Sequence, residues 1–107
     1  MISFDEWQKI DLRVGFIEKV EEIEGKDKLY KMIVDFEEEK RVVVAGLKSF
    51  FKKEELENKK AVFVYNLAPI KLAGIDSQAM ILAAKNSSGE YKVFFADESV
   101  KKGTKLE

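Results

Sequence analysis

Leu29-Tyr30-Lys31-Met32-Ile33-Val34-Asp35-Phe36, then Glu37-Glu38-Glu39, then Lys40-Arg41-Val42-Val43-Val44-Ala45: the fold is decided by how these 17 residues are read. Tyr30, Met32, Val34 and Phe36 alternate with Leu29, Lys31, Ile33 and Asp35. A period of two places successive side chains on opposite faces of a strand. The three glutamates make a short acidic turn, and the β-branched run after them reads as the returning strand. Residues 29–45 are therefore expected to form a hairpin.

Upstream, Leu12, Val14 and Phe16 alternate with Arg13 and Gly15, so a first strand is expected with the two sets on opposite faces. A glycine inside a strand marks a bulge or a sharp bend, as needed where a barrel turns a corner. The polar stretch Glu21 to Lys28 reads as the loop joining this strand to the hairpin. Ahead of it, Ser3 and Glu6 have the spacing of a capping box, with Ile2 and Trp7 placed for a hydrophobic staple, over a helix ending near Lys9. This self-contained start right behind Met1 favours a complete polypeptide.

Downstream, Gly46 ends the third strand, and Leu47, Phe50, Phe51 and Leu56 are spaced for one or two short helical pieces. Asn58 fits a left-handed stop. A fourth strand is expected over Ala61–Tyr65 and a loop over Asn66–Gln78, holding Pro69 and Gly74. A buried fifth strand follows over Ala79–Ala84, then a turn at Asn86-Ser87-Ser88-Gly89 and a last strand over Tyr91–Ala96. Three strands, a helical connection and two more strands is the order of an all-β, five-stranded Greek-key OB-fold barrel. Here it carries short helices and a carboxyl-terminal strand extension. Strand order alone leaves other small barrels open.

Composition narrows the function. With 107 residues the chain fits one domain, residues 1–107, and 46% hydrophobic residues suffice for a core. There is no cysteine and no histidine, which removes thiolate metal sites and every histidine-dependent acid, base or triad. Glycine-rich phosphate loops are absent as well. Glu21-Glu22 and Glu37-Glu38-Glu39 fall in turns and read as solvated charge. No enzyme activity, metal or cofactor is expected. The amino end lacks a signal peptide pattern, and no apolar run approaches the roughly 20 residues needed to span a bilayer. The expected setting is cytoplasmic, with no membrane partner. Charged residues reach 36% and are mostly Lys and Glu, a bias seen in thermophilic proteins.

The formal net charge is −1, so any nucleic-acid site must be a local cluster. An OB-fold binds on the face of its second and third strands, flanked by the loops joining strands one and two and strands four and five. Lys26 and Lys28 fall in the first loop, Lys31 on the second strand, Lys40 and Arg41 on the third, and Asn66, Lys71 and Gln78 in the other loop. Tyr30 and Tyr65 are candidate stacking surfaces. The plainer alternative is that these lysines solubilise a hairpin whose acidic turn balances them.

Five blocks carry a family resemblance. They are Asp11-Leu12-Arg13-Val14-Gly15, Asp27-Lys28-Leu29, Val44-Ala45-Gly46-Leu47, Asn66-Leu67-Ala68-Pro69-Ile70-Lys71 and Gly74-Ile75-Asp76-Ser77-Gln78-Ala79-Met80-Ile81-Leu82-Ala83-Ala84. In this order, covering almost the whole chain, they resemble the tRNA-binding domain found at the carboxyl end of many methionyl-tRNA synthetases. The same domain occurs in free-standing tRNA-binding proteins and in endothelial monocyte-activating polypeptide. The resemblance implies a non-catalytic module that binds tRNA by shape and backbone, alone or with methionyl-tRNA synthetase. It implies RNA contacts at Lys28, Lys40, Arg41, Asn66, Lys71, Ser77, Gln78 and Met80, to which the charge pattern adds Lys31. It also implies a homodimer paired through its carboxyl-terminal part, where Val93-Phe94-Phe95 exceeds the needs of a minimal barrel. CsaA-like export chaperones share the fold and several of the motifs, so binding of unfolded polypeptide is the alternative. The chain departs from the family at Ile23-Glu24-Gly25-Lys26, where a His-Pro pair is common, and at Ala79, where a glycine is usual.

Overall fold

The computed structural model describes residues 1–107. In chain order its elements are α1 (Phe4–Trp7), β1 (Leu12–Ile23), β2 (Lys26–Asp35), β3 (Lys40–Ala45), α2 (Lys53–Leu56), β4 (Lys60–Val64), β5 (Ile70–Leu72), β6 (Ile75–Ser77), β7 (Met80–Ile81), β8 (Ala83–Lys85) and β9 (Tyr91–Val93). The main sheet runs β3-β2-β1-β4-β7, all antiparallel, and β5-β6 and β8-β9 are separate hairpins. This is the expected all-β, OB-type barrel order.

The long β1 is shared between two neighbours. Its first half, Leu12–Phe16, pairs with β4, and its second half, from Phe16, pairs with β2. Two features allow the bend between them. Gly15 is buried, and a Cβ there would lie 2.5 Å from Val34 Cγ1, 2.7 Å from Phe36 Cε1 and 2.9 Å from Phe63 Cδ1. The register then slips at Glu18, so that Ile17 and Val20, three residues apart, both reach the core. Gly15 therefore faces the core. Val14, on the opposite face, is buried too, so the strand has two covered faces. Beside it the tail adds to the β1 edge: Val14 N–H donates to Thr104 O (2.9 Å), Gly103 N–H to Val14 O (2.6 Å) and Leu106 N–H to Leu12 O (2.8 Å).

The core holds Ile17, Met32, Val34, Phe36, Val43, Leu56 and Phe63, all fully buried. Edge-to-face contacts join Phe36 to Phe63 at 5.3 Å and to Tyr65 at 4.9 Å. At the amino end the capping box forms, Ser3 Oγ accepting from Glu6 N–H and Glu6 Oε1 from Ser3 N–H, both at 3.2 Å. Asn58 takes the left-handed conformation, φ 64°.

Three expectations need correction. Residues 21–28 are not a loop: β1 and β2 continue as a ribbon to a tight turn at Glu24-Gly25, with Ile23 opposite Lys26 and Gly25 at φ 76°. The end of the ribbon projects from the barrel with little apolar surface to cover, so its sequence lacks the alternation that signals a half-buried strand. Residues 66–78 are not all loop, because β5 and β6 pair around Ala73 (φ 53°) and Gly74 (φ 76°). Positive φ at both turn residues suits a two-residue hairpin. The apolar run Ala79–Ala84 is not one buried strand. It splits into β7 and β8, with Met80 and Ala84 exposed, because part of it lines a surface groove. After β9, Phe95 bridges to Ala61 and forms the strand extension.

Candidate nucleic-acid interface

The backbone ladder stops between β3 and β7, and side chains close the seam. Ser77 Oγ accepts from Val44 N–H (3.0 Å) and donates to Ala79 O (3.1 Å). Gln78 Oε1 accepts from Val42 N–H, while Gln78 N–H donates to Val42 O, both at 2.8 Å. Two side chains thus satisfy edge donors of β3 that a sixth strand would otherwise pair.

Arg41 secures the same seam. Its Nη1 donates to Tyr65 O and to Gln78 O (3.1 Å), its Nε and Nη2 reach Glu39 Oε1 (3.0 and 2.7 Å), and its guanidinium lies 3.5 Å from the Tyr65 ring centre. Arg13 also approaches that ring, at 4.0 Å, and is held by Asp11 (3.0 Å) and Glu38 (2.8 Å). The Tyr65 hydroxyl lies 2.6 Å from Glu39 Oε1 and 2.9 Å from Glu38 Oε1, and donates to one of them at a time. Burial, followed by these two carboxylates, pushes the phenol well above its ordinary pKa. The Tyr65 hydroxyl and then Arg41 hold Glu39 below the usual carboxylate range. Glu38 and Glu39 are thus structural carboxylates, not merely solvated charge. Tyr65 and Tyr30 offer no free stacking face: both are buried, and Tyr30 Oη donates to Phe51 O at 2.8 Å.

The candidate contact residues divide into four groups. Arg41, Ser77 and Gln78 belong to the seam, and Asn66 ties the chain behind it to β1 by accepting from Asp11 N–H (2.8 Å) and donating to Lys9 O (2.7 Å). Lys31 and Lys40 lie on the outer face of β2 and β3, and Lys28 stands just before them, where the β1–β2 register slips. Lys28 and Lys31 have no carboxylate within ion-pair distance, whereas Lys40 meets Glu18 at 2.8 Å, which raises its pKa. Lys71, on β5, loosely pairs with Asp76 at 3.3 Å, both side chains being exposed. Met80 lies apart from the lysines, on the rim of an apolar groove of about 580 Å³ lined also by Leu47, Leu67, Ile70, Leu72 and Tyr91. Ala79, the departure from glycine, is buried in the core cluster and forms part of the groove's floor. Lys19 was missed by the sequence reading: it sits opposite Ile33 on the outer face, exposed and unpaired. Its place on that face, diagonal to Lys31, was hidden by the Glu18 bulge.

No helix is long and apolar enough to cross a membrane. The chain is 46% identical over 105 residues to the methionine–tRNA ligase of Pyrococcus furiosus, covering 98% of this chain but 14% of that one. It is 42% identical over 99 residues to the Methanocaldococcus jannaschii enzyme, 15% of whose length it spans. Among solved structures, a MetRS related protein from Pyrococcus horikoshii superposes with TM-score 0.94 at 37% identity, covering all of this chain and 98% of that one. The CsaA chaperone protein from Picrophilus torridus superposes with TM-score 0.88 at 30% identity over the full length of both. The tRNA binding domain family matches residues 12–105, the whole sheet together with its seam and tail, and the chain belongs to that family.

Proposed function

We propose that this chain is one non-catalytic domain, residues 1–107, that binds tRNA through its phosphate backbone and serves methionyl-tRNA synthetase in the cytoplasm, either attached or free-standing. The observation that carries the proposal is the β2–β3 surface, where Lys28 and Lys31 stand without carboxylate partners in a fold whose family binds tRNA. Lys28, Lys31, Lys40 and Lys71 supply phosphate contacts. Arg41, Asn66, Ser77 and Gln78 hold the loop that flanks them, and Met80 offers an apolar edge. Lysine point charges suit backbone recognition without base readout.

The partner is further proposed to be held by a homodimer. Phe94 and Phe95 remain 55% and 45% exposed, more apolar surface than a lone strand end normally leaves in water. A two-fold pair presents two cationic faces, and the second contact becomes intramolecular.

A second reading has its own observation. The apolar groove, with Leu67, Ile70 and Met80 exposed at its rim, could take unfolded polypeptide, as the likeness to a CsaA chaperone protein suggests. Salt separates the two. Raising it from about 50 to 200 mM is expected to cut tRNA affinity tenfold or more through counterion release. Hydrophobic capture of a reduced, carboxymethylated protein would hold steady or strengthen. Tight, salt-insensitive binding of that denatured protein, uncompeted by tRNA, would replace the tRNA reading.

A further inference from the structure

A second cationic feature lies farther along the outer sheet face, at the opposite end of β2 from Lys31. The registers align Lys60, Phe16, Asp35 and Lys40 in one row across β4, β1, β2 and β3. Their inward-facing neighbours Ala61, Ile17 and Val34 are fully buried, so this row faces outward. The carboxyl-terminal turn stands beside the row, and between them lies a cleft of about 520 Å³ lined by Phe16, Glu37, Lys60, Lys101 and Lys102.

The charges in this cleft do not cancel. Lys102 meets Asp35 at 2.7 Å and Glu37 at 3.6 Å, so its ammonium is compensated. Lys60 is held differently: its Nζ donates to two backbone carbonyls, Glu98 O (2.9 Å) and Val100 O (2.8 Å). Those bonds fix its position and leave one N–H free, and Asp97, near enough to feel its charge, lies beyond ion-pair distance. Lys101 is exposed and has no partner. Two fixed or available positive charges therefore stand over a half-buried aromatic ring, in a space large enough for one nucleotide.

We infer that this cleft binds a phosphate group, with Lys60 and Lys101 as its ligands and Phe16 as the floor for the attached sugar or base. The inference rests on the tRNA reading for its source of phosphate, and extends the RNA surface past Lys40 to the tail. A free polyphosphate shares the same chemistry. Lys101 is the variant to test, because its exposed side chain makes no hydrogen bond or ion pair in the fold.

Two measurements on the whole chain decide the matter. The first is the salt dependence of tRNA binding for the parent, Lys101→Ala and, as a control on the main face, Lys31→Ala. The second follows the backbone amides and the Phe16 ring by NMR during titration with sodium tripolyphosphate and, separately, with tRNA. Lys101→Ala is expected to flatten the salt slope by about 0.7 to 0.9, and tRNA to shift Phe16 in the parent only. A slope and Phe16 signals untouched by Lys101→Ala, with Lys31→Ala still flattening the slope, would overturn the cleft while leaving tRNA binding intact. If tRNA does not bind at all, the tRNA reading fails. In that case a Phe16 shift with tripolyphosphate below about 1 mM, lost in Lys101→Ala, assigns the cleft to free polyphosphate, and no shift overturns it.

Discussion

Replacing Arg41 with alanine should unfold the protein more easily while leaving the charge of the RNA surface almost as it was. The side chain is 20% exposed and its partner Glu39 50% exposed. An ion pair that open to water contributes at most about 1 kcal/mol. More comes from its other contacts. A charged donor to the Tyr65 and Gln78 carbonyls is worth roughly 1.5–3 kcal/mol, and stacking at 3.5 Å on Tyr65 about 0.5–1 kcal/mol. The total loss is about 2–4 kcal/mol, since these terms share one side chain and do not simply add. For a domain of this size the melting temperature should fall by roughly 10–20 °C, read by far-UV circular dichroism. Arg41→Lys keeps the charge but loses the planar fork, and should recover only a minority of the loss. At a temperature where the variant is folded, its salt slope with tRNA should equal the parent's. An Arg41→Ala protein that melts within about 3 °C of the parent would refute the clamp. A slope flattened by about 0.7 to 0.9 would instead make Arg41 a phosphate ligand.

Gly15→Ala forces a methyl to within 3 Å of three core side chains, and should destabilise by about 1–3 kcal/mol in urea unfolding. Asp35 is held below the ordinary carboxylate range by Lys102 and by the Glu37 N–H, and Glu39 by Tyr65 and Arg41. Carboxylates depressed in the fold stabilise it above their unfolded values near pH 4 and lose that contribution as the pH falls through the folded values. The Asp35→Asn, Glu39→Gln double variant should therefore be less stable than the parent at pH 7, with a smaller further loss between pH 4 and pH 2 in the same urea assay. Sedimentation equilibrium at micromolar concentration should give twice the 12.3 kDa chain mass. A single 12.3 kDa species would remove the dimer.

How much of this was legible in the sequence follows from what each residue had to satisfy. The hairpin of β2 and β3 was readable because Tyr30, Met32, Val34 and Phe36 are all buried on one face, and periodicity reports one-sided burial directly. The end of the β1–β2 ribbon was not, since backbone pairing holds it with little apolar demand on its side chains. Gly15 was legible as a bend, but which face of β1 meets the core was not, because Val14 is buried as well and alternation cannot rank two covered faces. The candidate lysines were legible as charge but not as free or paired. That distinction depends on contacts such as Lys40 with Glu18 or Lys102 with Asp35, which join residues up to 67 positions apart. Ser77 and Gln78 carried a strong motif, but nothing in their spacing revealed that β3 and β7 would meet without a backbone ladder.

The division of labour between the two kinds of cation then bears on specificity. Both arginines and five lysines, Lys40, Lys48, Lys71, Lys92 and Lys102, lie within ion-pair distance of a carboxylate. Twelve of the 17 lysines do not. The guanidinium groups, whose planar fork best matches a guanine edge, are spent on Tyr65, Glu38, Glu39 and the seam. What remains facing solvent is a set of mobile ammonium groups, suited to phosphate oxygens and indifferent to base identity. With both tyrosines of the sheet buried as well, the β2–β3 surface has little means of sequence readout. On the proposed tRNA reading, discrimination among tRNAs comes from the spacing of cations over a folded shape: the distance between the β2 lysines and the proposed Lys60–Lys101 cleft within one chain, and, in the proposed homodimer, the distance between two such chains.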